Sequence, residues 1–201
     1  MNLKELYTSA VQDTNSGQYA EAIRKFELLL TNDIGEVDKA NICSLLGGLH
    51  LRVGNNEEGV QRLVEALAIA PNNAVGWSNL SEGWRRLGQL DDALETARKA
   101  VKLKPDYAEA YSNMGNALKG FIFKKPNRGL QDVIISMLDK QTYVRPSDIA
   151  RAGVSLLKLE PNLQKQLQLA NSDELMQSPL DVISELNKFP LLLKLMKVCP
   201  L

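Results

Sequence analysis

Apolar and small residues recur in two alternating stripes over the first 120 positions. Trp77, Leu80, Trp84 and Leu87 follow one another at intervals of three and four, so they share one face of a helix. Ala93, Leu94, Ala97, Ala100 and Val101 do the same for a second helix. Gly88 lies between the stripes, where a helix ends in the left-handed turn that glycine enters cheaply. Pro105 stops the second helix, and the small side chains of Ala93 and Ala100 let two antiparallel helices approach closely. The arrangement is already present 34 residues earlier, where Gly54, Gly59, Leu63, Ala66 and Pro71 stand in the same places. Further upstream Gly17, Ala22, Phe26 and Leu29 repeat it, in a unit that carries three extra residues around Asp33, Ile34 and Gly35 and lacks the closing proline. A further unit opens at Ala108, with Tyr111, Met114, Gly115 and Leu118 in register. Ile122 then falls where the turn glycine belongs, so either the first helix of that unit runs longer or the turn is rebuilt around Pro126 and Gly129. One such helical hairpin cannot bury its apolar face alone, so neighbouring hairpins must stack.

The pattern resembles the tetratricopeptide-repeat (TPR) family, whose 34-residue unit has tryptophan, leucine, glycine, tyrosine, alanine, phenylalanine and proline at set places. The match runs over units at about 3–39, 40–73 and 74–107 and a partial one at 108–120. The resemblance implies an all-α fold. A right-handed α-α superhelix of three repeats plus a partial fourth occupies residues 1–120, followed by a diverged helical extension over 121–201. The entry phrase, from Glu5 to Leu30, is similar to the N-terminal TPR region of bacterial methyltransferases and O-GlcNAc-transferase-like glycosyltransferases.

The last third has helical stripes without the repeat. Val133, Ile134, Met137 and Leu138 form one. Pro146 opens a helix through Ile149, Val154, Leu156, Leu157 and Leu159, and Pro161 closes it. Leu163, Leu167 and Leu169 suggest a short helix, Ser178 and Pro179 open another through Leu180, Ile183 and Leu186, and Pro190 opens the last. The final segment, PLLLKLMKVCPL, is apolar where a free chain end is usually polar. It needs cover, from the helical stack, from a second copy of the chain in a homodimer, or from a downstream domain.

Lysine plus arginine equals aspartate plus glutamate at 24 each, so no net attraction to nucleic acid or an acidic membrane follows, and any charged site must be local. Cys43 and Cys199 make neither a disulfide framework nor a metal-ligand spacing. The start of the chain lacks the apolar run of a signal peptide, and no stretch reaches the ~18 apolar residues of a membrane span, which reads as a cytoplasmic protein.

Catalytic constellations are missing from the sequence. The single histidine, His50, stands where Trp84 and Leu118 stand in later units and reads as a packing residue. The pairs Glu57, Glu58 and Asp91, Asp92 open second helices, where the helix dipole favours carboxylates. Lys124, Lys125 and Arg128 form a small basic turn. No phosphate loop, nucleophile elbow or zinc motif appears, so neither a catalytic residue nor a cofactor nor a metal is expected.

In the TPR family the first helix of each repeat lines the concave face. The resemblance therefore places Asn79 and Asn113, one repeat apart, on a groove. An amide offers a donor and an acceptor and can pair with a peptide backbone without reading its side chains. The pair is similar to the asparagine ladder of O-GlcNAc transferases, although Leu45 and Thr8 occupy the equivalent earlier positions, which leaves two rungs. Ser78, Glu82, Arg85, Arg86, Ser112, Asn116 and Lys119 are the neighbouring groove candidates, with Arg85 suited to clamping a carboxylate. The dicarboxylate-clamp set of chaperone-binding TPR proteins is not recognisable. The expected function is non-catalytic: a groove holding a peptide or protein partner. The alternative is the substrate-positioning region of a longer methyltransferase or glycosyltransferase.

Overall fold

A computed structural model describes residues 2–139, 143–171, 184 and 187–199. Among them the only regular element is the helix. The chain divides into two compact units, Met1–Met114 and Gly115–Leu201.

The first unit is built of helical hairpins. The first pairs α1 (Leu3–Asn15) with α2 (Tyr19–Leu30), the second α3 (Glu36–Val53) with α4 (Asn56–Ile69), and the third α5 (Ala74–Arg86) with α6 (Leu90–Leu103). A further helix, α7 (Ala108–Leu118), begins in this unit and ends in the next. Gly17, Gly54 and Gly88 close the first helices at φ 78°, 88° and 77°, as the repeat predicts. The acidic pairs do stand in the first turns of α4 and α6. The extra residues of the first unit divide between a loop and an added turn at the start of α3.

The cores follow the stripes. Leu6, Ala10, Ala22, Phe26, Leu29, Ile42 and Leu46 form one cluster. Leu51, Val60, Leu63, Leu67 and Leu80 form the next, flanked by half-buried Trp77, Trp84 and Leu87. Each hairpin closes on a pair of small residues. In the first they are Ala10 and Ala22, both fully buried. In the third the Ser81 hydroxyl donates to the Ala93 carbonyl at 2.8 Å. In the second they are Gly47 and Gly59, and there the backbones come close: a Cβ on Gly47 would stand 2.9 Å from the Gly59 carbonyl oxygen.

The second unit holds α8 (Arg128–Asp139), α9 (Pro146–Leu157), α10 (Pro161–Asn171) and α11 (Pro190–Val198). Ile134, Met137, Leu138, Ile149 and Leu156 make its core. Three expectations change here. The turn after α7 is made by Gly120 at φ 75°, two residues before Ile122, so this first helix is shortened rather than extended. Val154 is 43% exposed and does not join the buried stripe of α9. Pro161 begins α10, after α9 has already ended at Leu157. The stretch from Ser178 to Ile183, and Leu186, lie outside the described residues.

One face of the apolar last segment finds cover inside the unit, while Leu193 and Met196 stay exposed. Leu191 and Leu195 of α11 are buried against α8 and α9, Leu195 seated on Gly153, and Lys194 pairs with Asp139.

Candidate functional site

The first helices lie side by side and polar side chains link them in series. Asn73, just before α5, uses both ends of its amide. Its Oδ1 accepts from the Gly76 N–H at 3.0 Å, capping the helix, and its Nδ2 donates to Ser44 Oγ on α3 at 3.4 Å. At the far end of α5, Arg86 Nη1 donates to the Leu51 carbonyl of α3. From α7, Asn113 Nδ2 donates to the carbonyl and hydroxyl oxygens of Ser78 on α5, both at 3.1 Å. Tyr107, at the repeat position of Asn73, donates to Glu109 at 2.9 Å. Burial first, and then the Glu109 carboxylate, push its phenol up to about 12, while the Ser78 hydroxyl pulls the other way.

The two asparagines therefore differ. Asn113 has its donor committed to α5. Asn79 is half-buried beside Gly48 of α3, where a Cβ would stand 3.6 Å from its Nδ2. Among the described residues the Asn79 amide has no hydrogen-bond partner. In the preceding repeat Ser44, equivalent to Ser78, accepts from Asn73 and not from Asn79.

Four of the expected groove residues, Ser78, Glu82, Arg85 and Arg86, are buried or paired within the chain in this arrangement. Ser78 is fully buried. Arg85 is held by Glu82 through two parallel bonds of 2.8 Å from Nε and Nη2. Arg86 adds a third to the same carboxylate at 2.7 Å. Glu82, three residues before Arg85, occupies the clamp that the sequence offered. Ser112 is exposed on α7. Asn116 and Lys119 are exposed and belong to the second unit, where Lys119 pairs with Asp148 at 3.4 Å.

Burial pushes the Glu82 carboxyl up, but the hydrogen bonds from Arg85 and Arg86 outweigh it and hold the group below its ordinary range. A carboxylate lowered on folding adds stability above its unfolded pKa, about 4.3 for glutamate, and that increment is lost as pH falls through the folded value. Glu82→Gln is accordingly expected to be less stable than the wild type at pH 7, with the gap closing below about pH 4. Urea unfolding at a series of pH values measures it, and a gap independent of pH contradicts the assignment.

His50 is 5% exposed, and neither ring nitrogen makes a hydrogen bond; its Nε2 lies 4.0 Å from Glu27 Oε1. It fills the position of Trp84 as packing. Among the described residues no cluster of three or more histidine, cysteine or carboxylate side chains could hold a metal, and no helix is long and apolar enough to cross a membrane.

A cavity of about 330 Å³ opens between α1, the end of α2 and the start of α3. Leu29 and Ile42 form its buried floor, and Leu3, Tyr7 and Ile34 its partly exposed walls. Lys4, Asp38 and Asn41 stand on its rim. Sequence reasoning missed this cavity, and it missed the roles of Ser44, Asn73 and Tyr107. The available signals were the three extra residues that bring Ile34, and an asparagine directly before the Ala74 stripe.

The hairpins, the left-handed glycines and the row of first helices define a tandem helical-repeat fold. Residues 85–120 match the family model described as TPR repeat. The chain is 39% identical over 74 residues to a Hsp70-Hsp90 organizing protein of Triticum aestivum, covering 37% of this chain and 13% of that one. It is 26% identical over 141 residues to a Hsp70-Hsp90 organising protein of Plasmodium falciparum, covering 63% of this chain and 56% of that one. The chain thus spans only part of the length of these curated relatives. Among solved structures, a mutant O-GlcNAc transferase of Thermobaculum terrenum superposes with a TM-score of 0.57 at 25% identity, covering 69% of this chain and 26% of that one.

Proposed function

We propose that this chain is a non-catalytic interaction module of the cytoplasm, and that the face formed by α3, α5 and the start of α7 holds a peptide segment of a partner protein. The carrying observation is the Asn79 amide, half-buried on α5 and without a hydrogen-bond partner among the described residues, between Asn73 and Asn113, whose amides are both paired. A peptide main chain supplies the donor and acceptor that this amide lacks. The sequence relatives named as organising proteins support a role in holding other proteins. They do not favour the substrate-positioning region of a transferase.

The single Glu82 carboxylate offsets one of the two guanidinium charges of Arg85 and Arg86, so this cluster keeps one net positive charge while the donors facing Glu82 are committed to it.

The test begins with a pull-down and mass spectrometry from the source organism, followed by calorimetry with the recovered partner. Asn79→Ala is expected to weaken binding about tenfold, the loss of one or two hydrogen bonds at ~1 kcal/mol each, with unchanged helical circular dichroism. Asn113→Ala is expected to lower thermal stability as well, because it frees Ser78. Unchanged affinity in Asn79→Ala contradicts the proposal.

A further inference from the structure

The cavity beside α1 opens onto the edge of the first core cluster, through Leu29, Ile34 and Ile42. Its floor is apolar and buried, its walls are half open, and its size is at the lower end of ligand pockets, which run from about 300 to 1,000 Å³. That volume suits one large apolar side chain. We propose that it is an anchor site for a leucine-sized side chain of a bound peptide segment, an inference that rests on the peptide-holding function.

Three observations carry it. First, Ile34 lies in the segment that makes the first repeat longer than the others, so this wall exists only where the repeat departs from its standard length. Second, Lys4, Asp38 and Asn41 all line the mouth, and among the described residues none of their side chains has a hydrogen-bond or ion-pair partner. The Asn41 amide is thereby free to pair with a main chain. Third, the two rim charges are opposite in sign and solvent-exposed. Exposed ion pairs contribute little, so the apolar floor supplies the affinity, and the rim favours a main chain without net charge.

The probe is N-acetyl-leucinamide, titrated into the whole labelled chain and followed by the methyl signals of Leu3, Ile34 and Ile42 in a two-dimensional NMR spectrum. Saturable shifts are expected at these residues. N-acetyl-alaninamide is expected to bind at least about tenfold more weakly, because it lacks the carbons that would be buried. Ile34→Ala, in an exposed loop, is expected to weaken the leucine probe severalfold, and Ile34→Trp to abolish it by filling the space. Equal response to both probes, or no saturable shift, overturns the proposal. Free leucine binding more tightly than the capped probe also overturns it, in favour of an amino-acid site. Probe shifts confined to Ser44 and Asn79 overturn the anchor alone and leave the groove intact, whereas loss of the Asn79 effect on partner binding strikes the groove itself.

Discussion

Gly47→Leu is expected to destabilise the first unit by at least the upper part of the ~1–3 kcal/mol range typical of overpacked cores. A Cβ at this position would lie 2.9 Å from the Gly59 carbonyl oxygen and 2.5 Å from Leu63 Cγ. The Leu63 side chain is fully buried, so it has no open space to move into. From the other side, a Cβ on Gly59 would lie 3.0 Å from the Gly47 carbonyl. Relief therefore requires α3 and α4 to separate, which withdraws Leu51, Val60 and Leu63 from their cluster. The comparison is Ser81→Gly, at the same place in the third hairpin, which removes one hydrogen bond worth about 1 kcal/mol and creates no clash. Thermal melts of both variants check the contrast. A Gly47→Leu protein as stable as Ser81→Gly contradicts the backbone approach described for the second hairpin.

The second large effect is expected in the other unit. Leu191→Ala removes a fully buried side chain from the contact of α11 with α8 and α9, and large-to-small changes at such sites cost about 2–5 kcal/mol. Hydrogen exchange is expected to speed up in α8, α9 and α11 while the first unit keeps its protection. Met196→Ala, on the 61% exposed side of the same helix, is expected to stay within about 0.5 kcal/mol. Equal effects from the two substitutions would mean that α11 is not docked through Leu191.

Much of this was legible in the sequence, for a physical reason. Helix stripes, turn glycines and small crossing residues are local signals, and the positions of Gly17, Gly54 and Gly88 fix where each hairpin turns. The fourth turn was misread because register was carried forward by counting from Gly88, whereas Gly120 was already present two residues before the expected place. Pro161 is a different error, since a proline marks both the end of one helix and the first turn of the next.

The site was less legible, because its state depends on pairings between helices. Asn79 and Asn113 are equivalent by position. Only the structure shows that Ser44 pairs with Asn73 while Ser78 pairs with Asn113. Arg85 looked free in sequence, although Glu82 lay one turn before it. The i, i+3 spacing was readable as an ion pair and outweighs the family analogy. The cavity near α1 is built from three separated segments, and no local pattern announces it.

The central claim is that the row of first helices holds the partner. A photo-crosslinking amino acid placed at exposed Val75 on α5 or exposed Ser112 on α7, and separately at exposed Lys102 on α6, tests it most directly. With the partner recovered by pull-down, crosslinks are expected from 75 and 112, with their yield reduced by Asn79→Ala, and none above background from 102. Equal crosslinking from position 102, or yields from 75 and 112 that Asn79→Ala leaves unchanged, would contradict the account.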